Sequence, residues 1–296
     1  MAKSTQQEAM EKAAKGNSLG RDAMRRLAAN KAAIASIAVL GLVVLMVIVG
    51  PWLTPNNYYS QDYDAIWQAP TLAHGHIFGT DSVGRDLFVR TMVGGRISLM
   101  VGIVTAFVSL LIGVAYGATA GFIGGRIDGF MMRTVDILYA LPFMFLVILM
   151  VVFFGQSLFL MFLAIGAVSW LDMARIVRGQ TLTIKQQPYV EAARMAGASG
   201  TAIIVRHIVP NLLGLIVVYV TLTIPQVILF ESFLSFLGLG VQEPMTSWGA
   251  LINDGVGEMG RAPWLLVIPS IFLAVTLFCF NFIGDGLRDA LDPNDR

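Results

Sequence analysis

The side chains that could do chemistry in this chain are few and widely spaced. His74 and His76 stand two residues apart in a polar stretch, and His207 lies far from both. The H-E-x-x-H spacing that puts two imidazoles on one helical face for zinc is absent. Asp81 and Asp86 could give oxygen ligands to calcium, but two carboxylates without a ligand-rich loop make a poor site. Asp81 with Arg85, acid first at i,i+4, is instead the favoured order for an ion pair within a helix. The single Cys279 sits inside an apolar run, so it closes no intrachain disulfide and packs as a small hydrophobe. No G-x-S-x-G nucleophile turn occurs, and no glycine precedes a lysine, which excludes a G-x4-G-K-[ST] phosphate loop. Gly124-Gly125 and Gly238-Leu239-Gly240 therefore serve turns or close packing. These residues predict no catalysis, no metal and no cofactor.

The elements that would hold such residues explain why so few exist. The 296 residues are 56% hydrophobic and 13% charged, about half the charge of a soluble domain. The apolar residues come in blocks, several as long as the ~20 residues that cross a bilayer. Six blocks qualify, near residues 33–52, 98–118, 138–154, 158–173, 212–230 and 264–283. All are expected as helices, since unpaired backbone is not tolerated in hydrocarbon. The fold class is an all-α, multi-pass membrane protein. The first block starts well behind Met1, after a polar tail, so it reads as an uncleaved span and not a signal peptide.

Lys and Arg set the orientation. Sixteen fall in the N-terminal tail, around Arg126 and Arg133, in 172–211 and in the C-terminal tail; four (Arg85, Arg90, Arg96, Arg261) fall on the other side. Both termini are expected in the cytoplasm. The divisions are a tail at 1–32, the first span and outer loop at 33–94, a transmembrane domain at 95–284 with a cytoplasmic loop at 181–210, and a tail at 285–296. Between Ser18 and Lys31, Leu19, Ala23, Met24 and Leu27 share one helical face, with Arg21, Arg25, Arg26 and Lys31 mostly opposite, a pattern suited to an anionic lipid surface. Asp136, Asp172, Glu231 and Asp285 fall near span ends, as interfacial anchors or helix caps. Charges at membrane depth mark ion relays, so this placement speaks against an ion-coupled carrier. It also predicts a wet, weakly binding passage through the spans.

The loop at 187–197 has a structure of its own. Pro188 suits a first helical position, Glu191 falls in the first turn where the helix dipole favours a carboxylate, and Ala192, Ala193 and Ala196 are strong helix formers with little relief. Gly197 fits a left-handed stop. The result is a short, self-capped helix outside the membrane, with a smooth surface that another protein can approach closely.

Glu191-Ala192-Ala193, Gly197 and Pro210 resemble the E-A-A-x3-G-x9-I-x-L-P loop of ABC importer permeases. His207 and Val209 stand at the isoleucine and leucine positions, with Ile208 between them, and Arg206 to Asn211 is similar to the peptide-importer branch. Gly79-Thr80-Asp81 with Gly84-Arg85-Asp86, Phe236 to Gly240 with Ser247-Trp248-Gly249, and the stretch Asn281 to Pro293 resemble further signatures of that branch, in the same order. The chain is identified as a member of the C-type permeases of oligopeptide importers, with a type I importer transmembrane domain. That resemblance implies that Glu191, Ala192, Ala193 and Gly197 form a coupling helix that docks on a cytoplasmic ATPase. It also implies the partners: a second, related permease, two ATPase subunits, a periplasmic peptide-binding protein, an oligopeptide and membrane lipid, with no nucleic acid. Dipeptide and nickel importers share much of the pattern. A carrier with buried ionisable groups and an intramembrane protease are the rival classes.

Overall fold

A computed structural model describes residues 19–71, 75–155 and 157–291; the remaining residues, His74 among them, lie outside it. Among the described residues the chain is helical, with no strand beyond an isolated bridge between Thr80 and Asp86. In order the helices are α1 (Leu19–Ala29), α2 (Lys31–Val49), α3 (Leu87–Ile123), α4 (Gly125–Ala140), α5 (Phe143–Phe154), α6 (Leu158–Ile184), α7 (Pro188–Met195), α8 (Gly200–Phe236), α9 (Trp248–Gly257) and α10 (Trp264–Leu291).

Local chemistry places the ends. Asn30 caps α2 by accepting from the Ala33 N–H at 3.1 Å, and Asp86 caps α3 by accepting from Val89 at 2.9 Å. Gly124 (φ 73°) closes α3 and opens α4. Pro142 has no N–H to give and holds Leu141 extended (φ −76°, ψ 129°), so α4 and α5 meet at a 77° bend. Pro210 cannot donate to the carbonyl four residues back. The ladder widens into a π turn at Ile204–Ile208, and the Val209 N–H reaches Ile204 instead.

Four helices (α2, α3, α8, α10) are long and apolar enough to cross a membrane, or five if the bent pair α4–α5 is one span. The expected fourth block is the start of α6, which continues to Ile184 through Asp172, Arg175 and Arg178. Six spans therefore remain an expectation. Ile34, Leu42, Leu45 and Ile48 on α2, and Ile103, Phe107 and Leu111 on α3, point outward. Such apolar surface fits lipid and not water.

α3 is the central post, 37 residues and about 55 Å long. Gly113, Gly117 and Gly121 repeat every fourth residue along its contact with α6. A methyl on Gly117 would stand 2.3 Å from the Ala174 carbonyl oxygen, and on Gly121 2.8 Å from that of Arg178. Small residues at this spacing let two backbones touch. Lys185 then donates to the Gly121 carbonyl at 2.6 Å, and Arg178 holds the buried Asp128 through two bonds of 2.9 and 2.6 Å. The α3–α4–α6 corner is thus fixed at the end that carries α7. The helix expected near the N-terminus is present as α1. Its Leu27 packs toward Gly286 of α10, while Met24 stays exposed.

Candidate functional site

α7 begins at Pro188 and keeps Glu191 in its first turn. It ends in a Schellman stop: Gly197 takes φ 83°, its N–H reaches Arg194 at 3.0 Å, and the Ala198 N–H reaches Ala193 at 3.1 Å. Nothing lies within 4 Å of where a Gly197 side chain would project. Val190 is fully buried against Ile203, Ile208 and Leu212, and anchors the helix. Arg194 lies over the Phe122 ring at 5.4 Å. Glu191, Ala192, Met195, Ala196 and Gly197 are exposed, Met195 at 89%, whereas Ala193 is half-buried on the anchored side. The exposed surface is offered by Glu191, Ala192, Ala196 and Gly197 together with Met195, with Ala193 beneath.

A cleft of about 1170 Å³ opens among α4, α5, α6, α8 and the end of α10. Its α6 wall is Ser169, Asp172, Ile176 and Gln180, and its α8 wall includes Asn211, Tyr219, Thr223 and Gln226. Asp172 stands at the end of the apolar block of α6, and the 27-residue helix runs on past it to Ile184. The Tyr139 phenol donates to Asp172. Arg175 stacks 4.2 Å over the Tyr139 ring and bonds Asp136 at 2.8 Å.

Glu231 is neither anchor nor cap. It is fully buried, and α8 continues past it to Phe236. It accepts from Ser98 at 2.9 Å and Ser235 at 2.8 Å, with Ser232 at 3.4 Å. Burying a carboxylate without such donors is expensive. Ser169, Asp172 and Gln180, which share one face of α6, were the available sign of a polar wall; for Glu231 the serines at 232 and 235 were the local sign.

At the far end of α3, Asp81 and Arg85 pair at 2.6 Å as expected, but across a tight loop and not within a helix. Gly84 takes φ 77°, and the Asp81 carboxylate accepts from the Val83 and Arg85 N–H groups. Arg85 also bonds Glu243 at 2.6 Å, linking this loop to the α8–α9 connector. Arg90, buried, stands 3.6 Å from Asp254. Burial pushes the Asp254 carboxyl up against the pull of Arg90 and Arg85. His76 bonds the Asp86 cap at 2.8 Å. Among the described residues, no group of three or more His, Cys, Asp or Glu could hold a metal.

Comparison with known proteins bears on this geometry. The family described as binding-protein-dependent transport system inner membrane component matches residues 113–294, and the N-terminal transmembrane domain of oligopeptide transport permease C matches residues 18–70. The oligopeptide transport system permease protein OppC of Haemophilus influenzae is 57% identical over 95% of this chain and 90% of its own length. The protein of the same name from Escherichia coli strain K12 is 58% identical over 95% and 93%. A solved structure of the MetNI methionine ABC transporter, inward facing, superposes with a TM-score of 0.55 at 18% identity, over 68% of this chain and 96% of that one, and so shares the fold.

Proposed function

The chain belongs to the family of binding-protein-dependent transport system inner membrane components, and on that premise we propose that it is the permease subunit of an ABC importer that carries oligopeptides across the bacterial inner membrane. The observation that carries this is identity of 57% and 58% to oligopeptide permeases over 95% of the chain. It is a transport component, multi-pass in the membrane. ATP hydrolysis belongs to a separate subunit, and a substrate-binding protein delivers the cargo.

The finer reading has α7 as the coupling helix in the cytoplasm. Its exposed Glu191, Ala192 and Gly197 meet a groove in the ATPase, and Ala193 supports them from below. A second, related permease faces the cleft, two ATPase subunits complete the complex, and both termini are cytoplasmic. What supports the coupling role is mechanical. α7 is a short helix started by Pro188 and closed by the Gly197 stop, anchored by Val190 to the base of α8 and seated beside the α3–α6 contact, so a push on it moves long helices. ATP binding then closes the ATPase pair, the coupling helices approach each other, and the spans open outward; hydrolysis resets them.

The test is uptake of labelled tri-alanine by proteoliposomes holding the whole complex. ATP- and binding-protein-dependent uptake is expected in the wild type and strongly reduced uptake in Glu191→Lys, at equal membrane abundance. No peptide uptake in the assembled wild type overturns the importer reading, and normal uptake in Glu191→Lys overturns the coupling role.

A further inference from the structure

The cleft described above holds a carboxylate, Asp172, that enters no ion pair among the described residues. Among the described residues that line it, Asp172 is the only acid and Arg288 the only cation. The nearest cation along α6, Arg175, is committed to Asp136 and to the face of Tyr139. Tyr139 holds the carboxylate through its hydrogen bond, and the side chain is otherwise exposed on the cleft wall.

Three features make this a place for a ligand and not a structural residue. Asp172 is exposed on the cleft wall, where the apolar first half of α6 gives way to its charged second half. The helix break at Leu141–Pro142, two residues past Tyr139, lines the same cleft. Irregular backbone is tolerated in a membrane protein where it borders a water-filled cavity. The volume of about 1170 Å³ exceeds the about 300–1,000 Å³ typical of small-molecule sites, so it admits a short peptide with water.

Resting on the importer reading above, we propose that Asp172 receives the α-ammonium of a peptide in transit. An ammonium leaving bulk water needs a partner for its charge. An oriented, unpaired carboxylate supplies one, and Gln180, Thr223 and Gln226 on the cleft walls can meet the peptide's amide groups. The passage is therefore wet but not featureless, which adds one charged contact to the weakly binding passage expected from the sequence.

The experiment uses the intact complex in proteoliposomes, with labelled tri-alanine as the probe and binding-protein-stimulated ATP hydrolysis as the check on assembly. Asp172→Asn keeps an acceptor for Tyr139 and loses only the charge, whereas Asp172→Glu keeps the charge. Uptake should fall about tenfold in Asp172→Asn, the change expected from losing one modest ionic contact, while Asp172→Glu stays near wild type and ATP hydrolysis persists in both. Should Asp172→Asn not assemble, Asp172→Cys in a Cys279→Ser background decides. An anionic sulfonatoethyl thiosulfonate should restore uptake, and a cationic trimethylammonium reagent should not. Wild-type uptake in Asp172→Asn, or equal effects of the two reagents, overturns the proposal. Absence of uptake in the wild-type complex would instead strike the importer reading on which it rests.

Discussion

Gly117→Ala isolates the contact that holds the molecule's centre. The added methyl would sit 2.3 Å from the Ala174 carbonyl oxygen and 3.0 Å from the Arg178 nitrogen, both backbone atoms, where ordinary contact begins at 3.4 Å. Neither neighbour can swing aside, so α3 and α6 must part by about 1 Å, at a cost of about 1–3 kcal/mol. Gly41 on α2 and Gly129 on α4 are the controls, because nothing lies within 4 Å of a methyl at either. Alanine there should stabilise by up to about 1 kcal/mol through helix propensity alone. Thermal unfolding of the purified complex in detergent compares the three. Gly117→Ala should melt well below wild type, and Gly41→Ala and Gly129→Ala at or above it. If Gly117→Ala melts with the controls, the close approach of α3 and α6 is not what the geometry says, and the argument that α7 rests on a fixed corner falls with it.

Gly197→Val forces a β-branched residue into a left-handed conformation at about 1–2 kcal/mol. Peptide uptake should fall with the spans still inserted, and Gly197→Asn, which tolerates that conformation, should lose less. Arg178→Ala leaves Asp128 buried beside no cation and should destabilise by about 1–3 kcal/mol, discounted from a fully buried pair because Arg178 is partly exposed; the double variant with Asp128→Asn should recover part of that in the same melting assay. Reporter fusions at Gly75, Gln186 and Arg296 should report outside, inside and inside; an outside signal at Gln186 would remove α7 from the ATPase side.

Local signals carried furthest where one residue type decides the backbone. Pro188, Glu191 and Gly197 announced α7 to within a residue, because a helix start and a left-handed stop each need particular chemistry. Apolar blocks located the spans but not their lengths. α3 starts at Leu87 and α6 ends at Ile184 because helices continue through polar residues that find partners in neighbouring helices. Asp172 and Glu231 therefore cap neither helix, since α6 runs on to Ile184 and α8 to Phe236. The partners that permit their positions, Tyr139 and Ser98, are remote in sequence, and no periodicity reveals them. The Asp81–Arg85 pair was found for the wrong reason: i,i+4 spacing fits a helix, but Gly84 had already marked a turn. The split of Glu191 and Ala192 from Ala193 could not be read without the buried partner of Val190.

The burial of Glu231 bears on how the chain is made. A ribosome delivers α3 before α8, so Ser98 is already in place when the carboxylate emerges, while Ser232 and Ser235 arrive with it on the same helix. Ser247 and Trp248, whose backbone N–H leans on Ser98 at 3.3 Å, come next and close over it. The order of synthesis thus matches the order in which this acid needs its donors, and a chain that inserted α8 without α3 beside it would leave a carboxylate facing lipid.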